Sequence, residues 1–170
     1  MKKTLTLALA PTLCVALSAA SQAACPSWPT AERFTISGEE VTDKRTGLVW
    51  KRCSEGQTLS ASSCTGTAVT YTHEEALARA KSANTTDSAT GWRLPNVKEL
   101  ASLADKGCQS PAIDSAAFPG TPSIYYWSSS PYVGGSYSAW SVNFNYGYVG
   151  FSGRFNLPFK NHVRLVRASQ

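Results

Sequence analysis

The chain has few charged residues, only two histidines and no long apolar segment beyond its N-terminus. Charged residues make up 16% of the 170 residues and aromatic residues 11%. Disordered proteins show the opposite bias, so this composition indicates a folded domain. A membrane-spanning helix needs an uncharged apolar run of about 18 residues or more, and none follows the N-terminus. The length suits one domain and not two.

The N-terminal segment has the layout of a secretory signal peptide. Two lysines precede an apolar run from Leu5 to Leu17, and small residues follow that run. The run is too short for a membrane anchor, and Gln22 stands where a lipoprotein signal needs an aliphatic residue. We therefore expect residues 1–23 to be a signal peptide and residues 24–170 to form a single domain. The protein should be exported to the periplasm, the cell surface or the medium.

Four cysteines follow the expected cleavage site, and in an exported domain they indicate two disulfides. Three pairings of four cysteines are possible. We favour Cys53–Cys64, which would close a short polar loop, and Cys25–Cys108, which would tie the N-terminus to the middle of the chain. A zinc site is disfavoured, because the spacing is not CxxC and the expected compartment is oxidising.

The first two thirds of the chain predict short strands and two helices. FTISG and LVWKR are strand-like segments rich in β-branched or aromatic residues, and GWRLP is predicted to be a short strand that ends at Pro95. Thr72 with Glu75, and Asn96 with Glu99, have the spacing of capping boxes, so each pair predicts a helix start. The inward-facing residues of the two helices are predicted to be Ala76, Leu77, Ala80, Val97, Leu100 and Leu103.

The last third of the chain contains no aspartate or glutamate. Residues 115–170 hold 13 of the 18 aromatic residues and four basic residues. IYYWSS, AWSVNF, GYVGFS and HVRLVR are strand-like, and the turns between them predict an antiparallel meander. Alternation along AWSVNF predicts core positions at Trp140, Val142 and Phe144, together with Trp127. Too many aromatic residues remain to be buried together, so we expect exposure of Tyr146, Tyr148, Phe151, Phe155 and Phe159.

Nothing in the sequence favours catalysis. The two histidines, His73 and His162, have no GxSxG nucleophile motif nearby, and the carboxylates form no recognisable acid–base pair. No Gly-rich phosphate loop precedes a helix, and the aromatic third offers no carboxylate to a calcium ion. His73 is expected to be an exposed residue of a first helical turn. We expect no enzyme, no cofactor and no metal site.

The composition of the last third favours a recognition surface. Tyr and Trp give rigid contact area, and Ser, Gly and Asn give adaptable hydrogen bonds. Aromatic rings stack on sugars or cations, and an excess of positive charge attracts anionic partners such as acidic or sulfated glycans. Arg164 and Arg167 either join that surface or serve as structural residues of a closing strand. The expected ligand-binding residues are Tyr132, Tyr137, Asn145, Tyr146, Tyr148, Phe151, Arg154, Phe155, Lys160 and His162.

Several segments together resemble one protein family. In order over residues 47–167 they are GLVWKRC, YTHEEALARA, GWRLPNVKELASL, AIDSAAFP, YYWSSSPY, AWSVNF and VRLVR. This combination resembles the Lcl C-terminal domain, the C-terminal domain of a collagen-like bacterial adhesin. The resemblance implies an α+β fold of C-type-lectin-like type, with a twisted antiparallel sheet, two helices and a long looped region. It also implies that the fold-defining residues include Trp92, Arg93, Leu94, Trp127, Trp140, Arg164 and Arg167.

The resemblance also implies a kind of partner. In the adhesin that gives the family its name, the domain is associated with sulfated glycosaminoglycans and with trimers, although a collagen-like stalk is absent from this sequence. The chain is also similar to retroelement-diversified C-type-lectin-like proteins, whose variable residues lie near the end of the domain, as Asn143 to His162 do here. We expect a non-enzymatic adhesion domain that binds a glycan or a surface protein and no nucleic acid. One alternative is a structural subunit of a surface assembly, in which the domain would form a homo-oligomer. The other is a retroelement-diversified receptor.

Overall fold

The computed structural model describes residues 25–84, 91–135, 138–152 and 159–169. The expected signal peptide therefore lies outside the described residues. The first sheet is antiparallel and has the strand order β1-β2-β3-β9. Its strands are β1 Phe34–Ser37, β2 Glu40–Asp43, β3 Leu48–Lys51 and β9 Val166–Ala168. A short helix, α1 Thr30–Arg33, precedes β1 and was not predicted from the sequence.

The second sheet is the three-stranded part of the predicted meander. Its strands are β6 Tyr125–Pro131, β7 Ala139–Asn143 and β8 Tyr148–Ser152, joined in that order by antiparallel pairing. The prediction that HVRLVR continues this meander is wrong, because β9 pairs with β3 of the first sheet. Just before β9, His162 forms a parallel bridge with Tyr126. The segment therefore connects the two sheets, and its apolar residues Val163 and Leu165 are fully buried.

Both predicted capping boxes start a helix. The Thr72 hydroxyl accepts from the Glu75 amide at 3.2 Å, and the Glu75 carboxylate accepts from the Thr72 amide at 2.7 Å. Helix α2 is His73–Ser82, and helix α3, capped by Asn96, is Val97–Ser102. Of the predicted inward-facing residues, Ala76, Ala80, Leu100 and Leu103 are buried, Val97 is half-buried, and Leu77 is exposed. The predicted burial of Leu77 was wrong, because α2 buries only a narrow stripe of small residues.

Three other local predictions also need correction. The polar loop between Cys53 and Cys64 is not entirely irregular. It contains strand β4 Thr58–Ser60, which pairs with β5 Ser63–Thr65 to form a hairpin. GWRLP forms no strand, only a bridge between Arg93 and Val166. His73 is half-buried, because its Nε2 atom lies 2.9 Å from the Ser128 carbonyl oxygen and its ring contacts Trp127.

The core forms on both faces of the β6–β7 pair. One cluster lies under α3 and includes Trp50, Phe118, Tyr126, Val142 and Phe144. The other lies under α2 and includes Trp92, Trp127, Val163 and Leu165. The predicted burial of Trp127, Val142 and Phe144 is confirmed, whereas Trp140 on the central strand β7 is only half-buried.

Two disulfides link the chain, one over a long stretch of sequence and one over a short loop. They are the favoured pairs Cys25–Cys108 and Cys53–Cys64, with Cα–Cα distances of 5.0 and 5.5 Å. The fold is thus α+β, with antiparallel sheets, few helices and two disulfides, which is compatible with an exported protein. Within the described ranges, none of the helices is both long and apolar enough to cross a bilayer.

Arg164 and Arg167 are structural residues. Arg164 is fully buried and donates hydrogen bonds to the Lys51 carbonyl and the Thr121 hydroxyl, both at 2.8 Å. Arg167 pairs with Glu40 at 2.7 Å, and its guanidinium lies 5.3 Å from the centre of the Trp92 ring. Of the two roles that the sequence left open, these contacts select the structural one.

Candidate recognition surface

Strand β8 and the turn before it expose an unusual amount of apolar area. Tyr146 is 59% exposed, Tyr148 44%, Val149 45% and Phe151 51%. Proteins rarely expose adjacent large apolar side chains without a function for them. In the described part of the chain β8 pairs only with β7, so it is the outer strand of its sheet. We call Tyr146, Tyr148, Val149 and Phe151 the β8 surface.

Tyrosines cluster on one side of β8. Tyr148 lies opposite Asn143, which lies opposite Tyr125 on β6, so the three residues share a face. The Tyr125 and Tyr148 hydroxyl oxygens are 2.9 Å apart, and the Tyr146 and Tyr148 rings are stacked with centres 6.3 Å apart. The hydrogen bond with Tyr125 raises the pKa of Tyr148 above its usual value.

The turn from β7 to β8 is fixed by local contacts. The Asn143 side chain accepts from the Asn145 amide at 2.7 Å, and the Ser110 hydroxyl donates to the Asn145 side chain at 2.7 Å. Gly147 has φ +73°, and a Cβ atom there would lie 3.3 Å from the Ala112 side chain. The turn therefore packs closely on the segment that follows α3, and it presents the tyrosines in a fixed position.

The other side of β8 continues into an apolar cleft. Phe151 stacks on Tyr132 with ring centres 4.3 Å apart, and the edge of Tyr132 packs on Trp140. Trp140 and Val149 then form one wall of a cleft of about 270 Å³. Its opposite wall is α3, through Val97, Lys98 and Ala101. Aromatic contacts are thus available on both faces of β8.

The charge near the β8 surface is positive. Lys98 lies at the apolar cleft and Lys106 beside the turn at Gly147, and both are exposed. Neither forms an ion pair within the described residues. The nearby carboxylates are engaged: Glu99 pairs with Arg93 at 2.6 Å, and Asp105 accepts hydrogen bonds from Ser27. This arrangement suits an anionic partner.

The predicted binding residues fall into three groups. The first group contains Asn145, Tyr146, Tyr148 and Phe151, which lie on β8 and the turn before it, and Tyr132, which follows β6 and stacks on Phe151. Lys160 and His162 lie across the sheet, because His162 bridges β6 on the side away from β7. There Lys160 is 3.4 Å from Glu75, and burial lowers the pKa of His162. The third group, Tyr137, Arg154 and Phe155, lies outside the described residues.

The sequence prediction omitted one residue of the β8 surface and three residues that adjoin it. They are Tyr125, Trp140, Val149 and Lys98. Alternation along their own strand-like segments could have placed Tyr125 and Val149 on a strand face, but the register that brings them to this surface is visible only in the structure. Lys98 had no such signal, because only the packing of α3 on the sheet brings it near β8. The predicted exposure of Tyr146, Tyr148, Phe151 and Phe159 is confirmed.

The fold and this surface define a small disulfide-linked α+β domain with exposed aromatic residues on one outer strand and the turn before it. The model of the family described as the Lcl C-terminal domain matches residues 39–167, and the chain belongs to that family. Comparison with curated proteins and with solved structures gave no match.

Proposed function

We propose that this protein is an exported, non-enzymatic adhesion domain with a C-type-lectin-like fold, which binds anionic glycans through the β8 surface. Membership of a family named after an adhesin domain supports the adhesion role. The observation that carries the proposal is the exposure of Tyr146, Tyr148, Val149 and Phe151 on the outer strand β8 and the turn before it. The absence of acidic residues from this third of the chain adds the preference for anions.

The chemistry of the surface suits a sulfated or acidic polysaccharide. Aromatic rings such as Tyr146 pack on the apolar faces of sugar rings, and the neutral Tyr148 hydroxyl can hydrogen-bond to sugar oxygens. Lys98 and Lys106 flank the surface and supply attraction to sulfate or carboxylate groups. Such attraction between exposed charges weakens as salt is added.

A glycan array with the purified exported protein tests this function. The array contains sulfated, acidic and neutral polysaccharides and is read at low and at raised salt. We expect binding to the anionic members, weakened at raised salt and by Lys98→Ala, which removes a positive charge at the apolar cleft. The control is Lys81→Ala, which removes an exposed positive charge from α2 and should bind like the wild type. Absence of binding to every glycan would refute the glycan part of the proposal.

A structural subunit of a surface assembly is the second candidate. The observation that favours it is that β8, with the sequence YVGFS, has neither a charge nor a proline. Edge strands of soluble proteins usually carry such features, which prevent another strand from adding to the sheet. Analytical ultracentrifugation over a range of protein concentrations distinguishes the two functions. Growth of an oligomer with concentration, together with no glycan binding, would favour the subunit.

A further inference from the structure

A polar cleft lies beside the Cys53–Cys64 disulfide and shares no lining residue with the β8 surface. Its volume is about 250 Å³. We call it the Glu55 cleft, and its polar lining residues include Glu39, Lys51, Glu55, Gln57, Thr58 and Arg79. Pockets for drug-sized ligands measure about 300–1,000 Å³, so this cleft suits a smaller molecule, about one sugar ring in size.

Glu55 is held in place before any ligand arrives. Its side chain is 3% exposed, and its two carboxylate oxygens accept from the Lys51 ammonium at 3.1 Å and the Arg79 guanidinium at 2.6 Å. Its backbone amide donates to the Val163 carbonyl at 3.0 Å, and its carbonyl accepts from the Val69 amide at 2.9 Å. A site whose polar groups are fixed in advance loses less entropy on binding.

The cleft offers both donors and acceptors. Lys51 and Arg79 are partly exposed and carry more N–H groups than the contacts with Glu55, Ser82 and Tyr71 use. Glu39 has no ion pair within the described residues, so its carboxylate can accept. The Gln57 side chain is fixed by bonds with the Ser54 amide and the Gly120 carbonyl.

The charges of the cleft balance. Lys51 and Arg79 carry one positive charge each, and Glu39 and Glu55 one negative charge each, so the cleft has no net preference for an anion. A neutral molecule with several hydroxyl groups matches it better, because each hydroxyl both donates and accepts. We propose that the Glu55 cleft binds one neutral pyranose ring. This site goes beyond the function assigned to the β8 surface and depends on none of its residues.

The test is a titration of the isotope-labelled exported protein with neutral monosaccharides, followed by NMR. The probes are glucose, galactose, mannose and N-acetylglucosamine, each added separately. Thr58→Trp places a large side chain at the cleft, whereas Ser60→Trp places the same side chain on the same exposed strand but outside the cleft. We expect at least one sugar to shift the Gln57 side-chain signals, with little dependence on salt. Thr58→Trp should weaken that binding about tenfold or more, and Ser60→Trp should leave it unchanged.

Three results would overturn the proposal. The first is that none of the four sugars shifts a signal of a cleft residue. The second is that Thr58→Trp binds the sugar as tightly as the wild type. The third is that Ser60→Trp weakens binding as much as Thr58→Trp does. The spectrum of each variant without sugar shows whether it is folded. Failure here is distinguishable from failure of the β8 function, because that function is read on anionic polysaccharides and depends on salt.

Discussion

At the scale of single residues, burial distinguishes Arg164 from the arginines on the surface, although the sequence alone does not. The guanidinium of Arg164 has no exposed area and donates to the carbonyl oxygens of Lys51 and Arg52 and to the hydroxyls of Ser54 and Thr121. Burial lowers the pKa of Arg164 from its ordinary value, and these neutral acceptors compensate for the lost water. The residue links the end of β3 to the segment that joins the two sheets.

Replacing Arg164 by methionine should therefore cost much stability. Arg164→Met leaves several buried acceptors without a donor, and one such loss costs about 1–3 kcal/mol. We expect the free energy of unfolding to fall by about 3 kcal/mol or more, measured by chemical denaturation. The exposed Lys81→Met should change it by less than about 0.5 kcal/mol. If the free energy of unfolding of Arg164→Met falls by less than about 1 kcal/mol, the hydrogen bonds of Arg164 are not needed for stability.

Burial within a strand could be predicted from alternation, and the exposure of aromatic residues in the last third of the chain from their number. The period of two along AWSVNF correctly buries Val142 and Phe144. It could not show that Trp140, on the same face, lines the apolar cleft and is only half-buried. His73 was misjudged for a similar reason, since its partners Trp127 and Ser128 are more than 50 residues away in the chain. Packing between distant segments decides both cases.

At the scale of elements, signals within a few residues predicted best. The capping boxes at Thr72 and Asn96 mark the true starts of α2 and α3, because all of their partners lie within one turn. The β4–β5 hairpin was missed because its strands are three residues long and mostly polar. The predicted partner of β9 was wrong, because alternation shows which face a side chain occupies and not which strand lies beside it.

The cap of α2 gives a prediction at this scale. Thr72→Ala removes the hydroxyl that accepts from the Glu75 amide, and loss of such a cap costs about 1 kcal/mol. Thr70→Ala is the matched control, since Thr70 is exposed and precedes the helix. Chemical denaturation should show the loss in Thr72→Ala alone. Equal effects of the two variants would mean that the cap contributes nothing specific.

At the scale of the whole molecule, the two disulfides constrain very different lengths of chain. Cys25 and Cys108 are 83 residues apart, whereas Cys53 and Cys64 are 11 apart. In the chain-entropy model the long loop is worth about 4.5 kcal/mol and the short loop about 3 kcal/mol, because closing a longer loop removes more freedom from the unfolded chain. Both pairs were favoured from the sequence, where the spacing alone left three pairings open.

Removing each disulfide separately tests this order. The double variant Cys25→Ala with Cys108→Ala should lose more unfolding free energy than the double variant Cys53→Ala with Cys64→Ala, by about 1.5 kcal/mol. Denaturation of both proteins under the same conditions gives the difference. A larger loss on removing the short loop would show that the Cys53–Cys64 disulfide acts mainly through the native hairpin beside it.

The central claim is that the β8 surface binds the ligand, and paired alanine substitutions on the two outer strands test it most directly. Tyr148 on β8 is 44% exposed, and Ile36 on β1, the outer strand of the other sheet, is 39% exposed. Affinity for heparin, a sulfated polysaccharide, is measured for each variant together with its melting temperature. We predict that Tyr148→Ala weakens binding about tenfold or more while Ile36→Ala binds like the wild type, with little change in either melting temperature. Undiminished binding by Tyr148→Ala, or an equal loss in Ile36→Ala, would contradict the claim.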